Sequence, residues 1–94
     1  MRLRWSTRAI KHLASIEAYI AKDKPDAAVH VVAEIVRAAS TLSQFPMLGR
    51  QGRIKGSREL IVPGLPYIVA YRVLGDVIDV SQVLHTSRKW PEKL

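Results

Sequence analysis

The chain has no cysteine, no long hydrophobic run and few acidic residues. Without Cys among its 94 residues it has neither a disulfide framework nor a thiolate metal site. No run approaches the roughly 18 apolar residues of a membrane-spanning helix, and no basic segment followed by an apolar one opens the sequence. We therefore expect a single domain, residues 1–94, that works in the cytoplasm and has no membrane partner.

The shortage of acids leaves the protein strongly basic. Fifteen Lys and Arg residues against eight Asp and Glu residues give a net charge of +7 and a pI near 10.3. Such an excess favours a polyanionic or acidic partner, although it is also compatible with a merely basic protein. A hydrophobic content of 48% with 24% charged residues is ordinary for a globular fold.

The first half of the chain has the pattern of a short strand and two helices. Leu3 and Trp5 alternate with arginines, as in a half-buried strand, and Ser6 can cap the helix that follows. Pro25 suits the first turn of a second helix of near 20 residues, because its missing N–H costs nothing there. The short connection predicts an antiparallel helical hairpin.

The last third of the chain predicts three strands joined by tight turns. Gly75 and Asp76 are typical of a two-residue hairpin turn, and this turn would pair Arg72 with Asp79 and Ala70 with Ser81. One face of the sheet then carries Tyr67, Val69, Tyr71, Val73, Ile78, Val80 and Leu84, interrupted by Gln82. The opposite face carries Arg72, Asp79, Ser81 and His85, with Ile68, Ala70 and Val83 beside them.

A turn at 63–66 extends the same alternation to the preceding strand. Leu60 and Val62 would face the core, Glu59 and Ile61 the opposite face, and Arg58 the edge of the core side. The predicted fold class is α+β, with the order β-α-α-β-β-β: an antiparallel sheet with a helical hairpin packed on one face.

The segment 46–57 predicts a basic loop before these strands. Its charges are all positive, and backbone amides beside glycines can join guanidinium groups in holding phosphates. A charge run of this kind is also typical of a solvated surface. Arg72 and Asp79 likewise admit a plain interpretation as a cross-strand ion pair. The basic residues of the loop and of the strand after it are Arg50, Arg53, Lys55 and Arg58.

Taken together, several short motifs in this order resemble the RelE/ParE superfamily of bacterial toxins. The resemblance implies the fold given above and the toxin half of a type II toxin–antitoxin pair, neutralised by a cognate antitoxin. The motifs are Trp5-Ser6 with Ala9, Pro25-Asp26-Ala27-Ala28, Phe45-Pro46 with Gly49-Arg50, Ser57-Arg58-Glu59-Leu60, Pro66-Tyr67-Ile68-Val69 with Tyr71-Arg72-Val73, and Val83-Leu84-His85 with Arg88 and Trp90.

The superfamily implies two alternative targets. RelE-like members cut messenger RNA on the ribosome with basic residues on the free sheet face, whereas ParE-like members poison DNA gyrase. Ile68 stands where a RelE-like nuclease commonly has Arg, and Trp90 stands where such nucleases tend to have a Tyr. These departures favour a ParE-like toxin that binds its target. A ribosome-dependent endoribonuclease is the first alternative, and a small basic nucleic-acid-binding module is the second.

The candidate site residues follow from both interpretations. If the protein is an enzyme, His85 can act as general base or acid, with Arg72 and Arg88 as cations at the phosphate. We expect no cofactor and no metal, because His12 and His30 lie on predicted helices away from His85. The candidate contacts to a target or nucleic acid are Arg50, Arg53, Lys55, Arg58, Arg72, His85, Arg88 and Lys89.

Overall fold

The computed structural model describes residues 1–87 and shows two helices and five strands. The α+β class and the helical hairpin packed on one face of the sheet are confirmed. Within the described residues, no helix is long and apolar enough to cross a bilayer. The elements are β1 (Arg2–Trp5), α1 (Thr7–Ala21), α2 (Pro25–Ser40), β2 (Arg50–Gln51), β3 (Arg58–Ile61), β4 (Tyr67–Leu74) and β5 (Val77–His85).

The two helices begin where capping chemistry places them. The Ser6 hydroxyl accepts a hydrogen bond from the Ala9 amide at 3.0 Å and so satisfies one free donor of the first turn of α1. Pro25 is the first residue of α2, as predicted. This helix is shorter than the predicted 20 residues, because its last turn tightens into a 3-10 helix at Thr41–Ser43.

The sheet is mixed, with the strand order β1-β5-β4-β3-β2. β1 lies parallel to β5, with Leu3 beside Ile78, so the prediction of a wholly antiparallel sheet was wrong in this respect. Alternation along a strand shows which side chains share a face, but it carries no information about the partner strand or its direction. The two residues of β2 add a short antiparallel edge strand to β3, inside the predicted basic loop.

A β-bulge at Ser81 divides the β4–β5 hairpin into two parts. From the Gly75-Asp76 turn to Arg72 opposite Asp79, the register is as predicted. Tyr71 then faces Val80, but Ala70 faces Gln82, so Ser81 is the extra residue and the predicted pair of Ala70 with Ser81 was wrong. One extra residue in a strand moves every later side chain to the other face.

The bulge reassigns the end of β5. Val83 now joins the buried residues under the helices, whereas Gln82 and Leu84 pair with Ala70 and Ile68 on the opposite face. Their predicted faces are therefore exchanged. We call the face packed against the hairpin the helix face and the other the outer face. The buried core of the helix face contains Ala9, Ile35, Ala39, Leu42, Val62, Tyr67, Val69, Tyr71, Ile78, Val80 and Val83.

Candidate interaction surfaces

The bulge places His85 on the helix face, away from the outer face where it was expected. His85 pairs directly with Tyr67, a core residue, and the two rings meet edge to face with centroids 5.4 Å apart. Its Nδ1 accepts a hydrogen bond from the Ser87 amide at 3.1 Å, so a neutral ring carries its proton on Nε2. His85 and Arg72, two of the candidate catalytic residues, therefore lie on opposite sides of the sheet.

A groove of about 430 Å³ between α1 and the end of β5 brings His12 beside His85. The expectation that His12 lies far from His85 was wrong, because it assumed His85 on the outer face. Ser15 and Tyr19 of α1 also line this groove, and so does Tyr67. Among residues 1–87, no cluster of three or more His, Cys, Asp or Glu side chains is arranged to hold a metal ion.

His12 accepts a hydrogen bond from a backbone amide of β5 that no strand of the sheet pairs within residues 1–87. β1 ends at Trp5, so among the described residues β5 has no neighbouring strand beyond Val80 on that side. His12 Nδ1 instead accepts a hydrogen bond from the Val83 amide at 3.1 Å. Burial lowers the pKa of His12, and the positive charge of Arg8 lowers this pKa further. The ring is therefore held in its neutral form, in which it can accept this hydrogen bond.

The basic loop is organised around one buried carboxylate. Glu59 of β3 has a side chain only 1% exposed, and its Oε1 lies 3.2 Å from the Arg50 guanidinium. Its Oε2 accepts a hydrogen bond from the Arg53 backbone amide at 2.8 Å. A buried charge is tolerated only when it is paired and hydrogen-bonded. Because Glu59 takes its partners from Arg50 and from the Arg53 backbone, it fixes the start of the loop. Arg50 keeps more than half of its side-chain surface exposed, and Lys55 at the tip of the loop is exposed too.

Tyr71 and Arg58 hold the other side of the loop. The Tyr71 hydroxyl donates to the Pro46 carbonyl at 2.8 Å and accepts from the Gly49 amide at 2.9 Å. The Arg58 guanidinium donates to the Gly49 carbonyl at 2.7 Å. Arg58 therefore lies at the edge of the core side, as predicted, and its donors serve the fold. Burial raises the pKa of Tyr71, and the Gly49 hydrogen bond and Arg58 offset part of that rise.

Position 49 accommodates only glycine, because Tyr71 occupies the space that a side chain would need. A Cβ at this position would lie 2.7 Å from the Tyr71 hydroxyl and 2.9 Å from the Glu59 carbonyl oxygen. Neither neighbour is free to move, since one is a buried ring and the other is strand backbone. The loop can therefore approach the sheet this closely only with glycine here.

Arg72 lies on the outer face but does not pair with Asp79, although the two residues are opposite each other. Asp79 instead pairs with Arg4, whose Nε lies 3.1 Å from Oδ1. Sequence patterns alone could not choose between the two arginines, because β1 was not known to neighbour β5. The Arg72 guanidinium reaches the basic loop, where a Cβ on Gly56 would lie 2.7 Å from its Nη1.

The parallel pairing of β1 adds arginines that the sequence did not single out. Arg2 and Arg4 join the outer face beside Asp79, and Arg8 follows at the start of α1. A concave surface of about 250 Å³, which we call the outer groove, lies beside Arg8. It is lined by Ser6, Arg8, Arg72, Asp79 and Ser81.

The centre of the outer face is neutral. Ile68 is 2% exposed, and neighbouring Ala70 and Gln82 are also buried. The Gln82 Nε2 has no hydrogen-bond partner among the described residues. The predicted cationic surface is therefore split into two parts, the outer groove and the basic loop. Arg88 and Lys89, with Trp90, lie outside the described residues.

Comparison with known proteins gives this arrangement a family. Residues 3–90 match the model of a family described as ParE toxin of type II toxin-antitoxin system, parDE. The chain belongs to the ParE toxin family. Membership in the RelE/ParE superfamily, expected from the sequence, is thereby confirmed.

Named relatives agree with this ParE-family assignment. The chain is 47% identical to Y4kP of Sinorhizobium fredii, named as a candidate toxin, over 99% of its own length and 96% of the relative's. It is 29% identical to toxin RelE2 of Caulobacter vibrioides, over 89% and 93% of the two chains. A solved structure described as the chromosomal ParDE toxin–antitoxin system from P. aeruginosa superimposes with a TM-score of 0.88 at 26% identity, covering 93% of this chain and 97% of that one.

The ParE-family assignment gives the protein its role. It is the toxin component of a type II toxin–antitoxin module, and an antitoxin protein is its partner.

Proposed function

We propose that this ParE-family toxin inhibits growth by binding a macromolecular target, DNA gyrase, and not by cutting messenger RNA. It would act in the cytoplasm, as one domain and without a cofactor. One observation carries the proposal: His85 and Arg72 lie on opposite faces of the sheet, separated by the bulge at Ser81.

Cleavage of RNA by its own ribose 2′-hydroxyl requires several groups at one phosphate. A general base must take the hydroxyl proton, a general acid must protonate the leaving oxygen, and cations must stabilise the added negative charge. Each must come within about 3 Å of its atom, directly or through one water. A histidine on the helix face cannot reach a phosphate that Arg72 holds on the outer face.

The neutral centre of the outer face supports binding as well. Ile68 stands at the position where the resemblance implied a nuclease cation, and it is a buried apolar residue. The exposed cations of the basic loop, Arg50 and Lys55 among them, remain available for contacts with a protein or with the DNA that gyrase holds.

The two targets separate in a pair of assays with purified toxin. In one, gyrase supercoils a relaxed plasmid in the presence of the toxin; in the other, ribosomes translate a defined message in its presence. We expect supercoiling to stop or DNA to be cleaved while the message stays intact. Cuts at codon positions in the message, with supercoiling unaffected, would sink the gyrase proposal.

A variant of His85 tests the same proposal in cells. We expect His85→Ala to keep its growth inhibition within about twofold of the parent, because His85 performs no chemistry. His30→Ala is the matched control, since it removes an exposed imidazole from α2. Selective loss of message cleavage and toxicity in His85→Ala, with circular dichroism unchanged, would favour the nuclease.

A further inference from the structure

The outer groove has more positive charge than its own carboxylate neutralises. Its one acidic lining residue, Asp79, already pairs with Arg4 at 3.1 Å. Arg8 and Arg72 also line the groove, and within residues 1–87 neither forms an ion pair. Two arginines that line this concave surface therefore have no counterion within the described residues. In a concave site, the field of such groups attracts an anion more strongly than on a flat surface.

Ser81 adds a hydrogen-bond donor to the wall of the groove. It is only 9% exposed, and it lines the groove because the bulge makes it the extra residue of β5. Its carbonyl accepts the Ser6 hydroxyl at 2.9 Å, but its own hydroxyl has no hydrogen-bond partner among the described residues. This hydroxyl reaches solvent and is a free donor, from which an acceptor oxygen in the groove can receive a hydrogen bond.

The bulge is held by the residue that caps α1. Ser6 accepts from the Ala9 amide while it donates to the Ser81 carbonyl, so one hydroxyl joins the start of the helix to the bulge. Arg8 projects from the first turn of that same helix. The backbone of Arg8 and the Ser81 hydroxyl are therefore positioned by connected elements, which lowers the entropic cost of binding.

We propose that the outer groove binds a carboxylate side chain of a protein partner, with Arg8 and Arg72 contacting the carboxylate and the Ser81 hydroxyl donating to it. A guanidinium group presents paired donors that match the two oxygens of a carboxylate. The proposal uses the toxin–antitoxin assignment only in supposing a protein partner, and it does not depend on gyrase.

Two features favour a carboxylate over nucleic acid. The groove measures about 250 Å³, which is on the scale of a single acidic side chain. Asp79 also lines it, and a nucleic-acid backbone with a charge at every phosphate would bring a second negative group toward that carboxylate. An Asp or Glu side chain brings one negative charge, which the two free arginines can hold.

Nuclear magnetic resonance titration of the isotope-labelled toxin tests the proposal, with an octaglutamate peptide as probe and an eight-residue oligothymidylate as competitor. We expect the peptide to shift the Nε–Hε signals of Arg8 and Arg72 and the amide of Ser81. Arg8→Gln and Arg72→Gln should each raise the Kd for the peptide about fivefold or more, and Ser81→Ala about two- to fivefold. Lys24→Gln removes one exposed charge at the helix connection and should change it less than about twofold.

Three results would overturn the proposal. If Lys24→Gln and Arg72→Gln raised the Kd for the peptide equally, binding would depend only on net charge. Tighter binding of the oligothymidylate at the same signals would assign the groove to nucleic acid. Unshifted Arg8 and Arg72 signals at millimolar peptide would mean that no carboxylate site exists.

This readout involves neither gyrase nor toxicity. A toxin that binds the peptide in the groove but does not inhibit gyrase would therefore contradict only the proposed target. Arg8 is exposed, so its variant keeps the test valid if Arg72→Gln does not fold.

Discussion

The helix face and the outer face of the sheet use their polar groups in different ways. On the helix face, His12 and Tyr71 each hydrogen-bond backbone that the sheet leaves unpaired, one at Val83 and the other at Pro46 and Gly49. On the outer face, Glu59 holds the basic loop, but Asp79 pairs with exposed Arg4, and Arg72 forms no ion pair within residues 1–87. The polar groups of the helix face therefore stabilise the fold, whereas the arginines of the outer groove are available for binding.

Exchanging Gln82 and Val83 should blur the distinction between the faces. The double variant Gln82→Val, Val83→Gln places an amide at the core position of Val83 and an apolar side chain on the outer face. We expect the free energy of unfolding to fall by about 3 kcal/mol or more, because burial of Val83 is lost and an amide is buried in its place. Urea unfolding followed by circular dichroism measures the change.

Deletion of Ser81 is the matched control for that exchange. The deletion removes the bulge but keeps Gln82 opposite Ala70 and Val83 opposite Val69, so both side chains keep their faces and the loss of stability should be smaller. A deletion as destabilising as the exchange would contradict the faces assigned to the end of β5.

Tyr71→Phe should lower the free energy of unfolding without changing the apolar packing of the helix face. The substitution leaves the Pro46 carbonyl and the Gly49 amide without their partner, and we expect a loss of about 1–3 kcal/mol in thermal or urea unfolding. Tyr19→Phe removes an exposed hydroxyl and should cost less than about 0.5 kcal/mol. Equal stabilities of the two variants would contradict the role given to Tyr71.

The pH dependence of Tyr71 has a definite sign. Its pKa is raised in the folded state, so the unfolded chain ionises first as the pH rises above the ordinary value of 10.0. The stability contributed by the neutral phenol is complete below that pH and is lost above it. Tyr71→Phe should therefore show a smaller loss of stability in alkali than the parent.

His12→Gln should reveal the opposite dependence. The pKa of His12 is lowered in the folded state, so the unfolded chain takes up the proton first as the pH falls below the ordinary value of 6.5. Its stability contribution is complete above that pH and is lost as the pH falls toward the lowered value. We expect the variant to lose about 1 kcal/mol near neutral pH through the Val83 amide, and to differ less from the parent in acid.

His30→Gln, on the exposed surface of α2, is the control for His12. It should leave the dependence of stability on pH as it is in the parent. If His12→Gln kept the full acid sensitivity of the parent, another group would have to be responsible for it.

Arg4→Gln should have the smallest effect, since it removes an ion pair on the outer face. The Arg4 side chain is 62% exposed, and such pairs contribute about 0–1 kcal/mol to stability. The difference from the parent should disappear in about 1 M salt, where exposed charges are screened. A loss as large as that of Tyr71→Phe would contradict the contrast between the two faces.

Much of the fold could be predicted because it follows from local rules. Ser6 as a cap, Pro25 as a helix start and the Gly75-Asp76 turn each act within a few residues, and each fixes its own segment. The alternation of β3 and of the first half of the hairpin was read correctly for the same reason. Membership in the toxin superfamily followed from the order of short motifs along the chain.

The candidate site was less predictable because it depends on long-range pairing. Nothing in the residues around Ser81 marks a bulge, and no glycine stands there, so His85 was assigned to the wrong face. The contribution of Arg4 and Arg8 depends on β1 lying beside β5, which alternation cannot show. Glu59 was seen only as an outer-face residue, because a single buried acid has no sequence pattern.

The pairing of β1 with β5 also bears on when a newly made chain can fold. Arg4 and Asp79 are 75 positions apart. β1 therefore cannot pair until β5 has been synthesised, near the end of translation. Contacts this distant in sequence form late and slowly. Stalled nascent chains that end before Val77 should therefore remain open to protease, and chains extended past His85 and clear of the ribosome should resist it. A ribosome would then carry a harmless toxin until almost the whole sheet has been made.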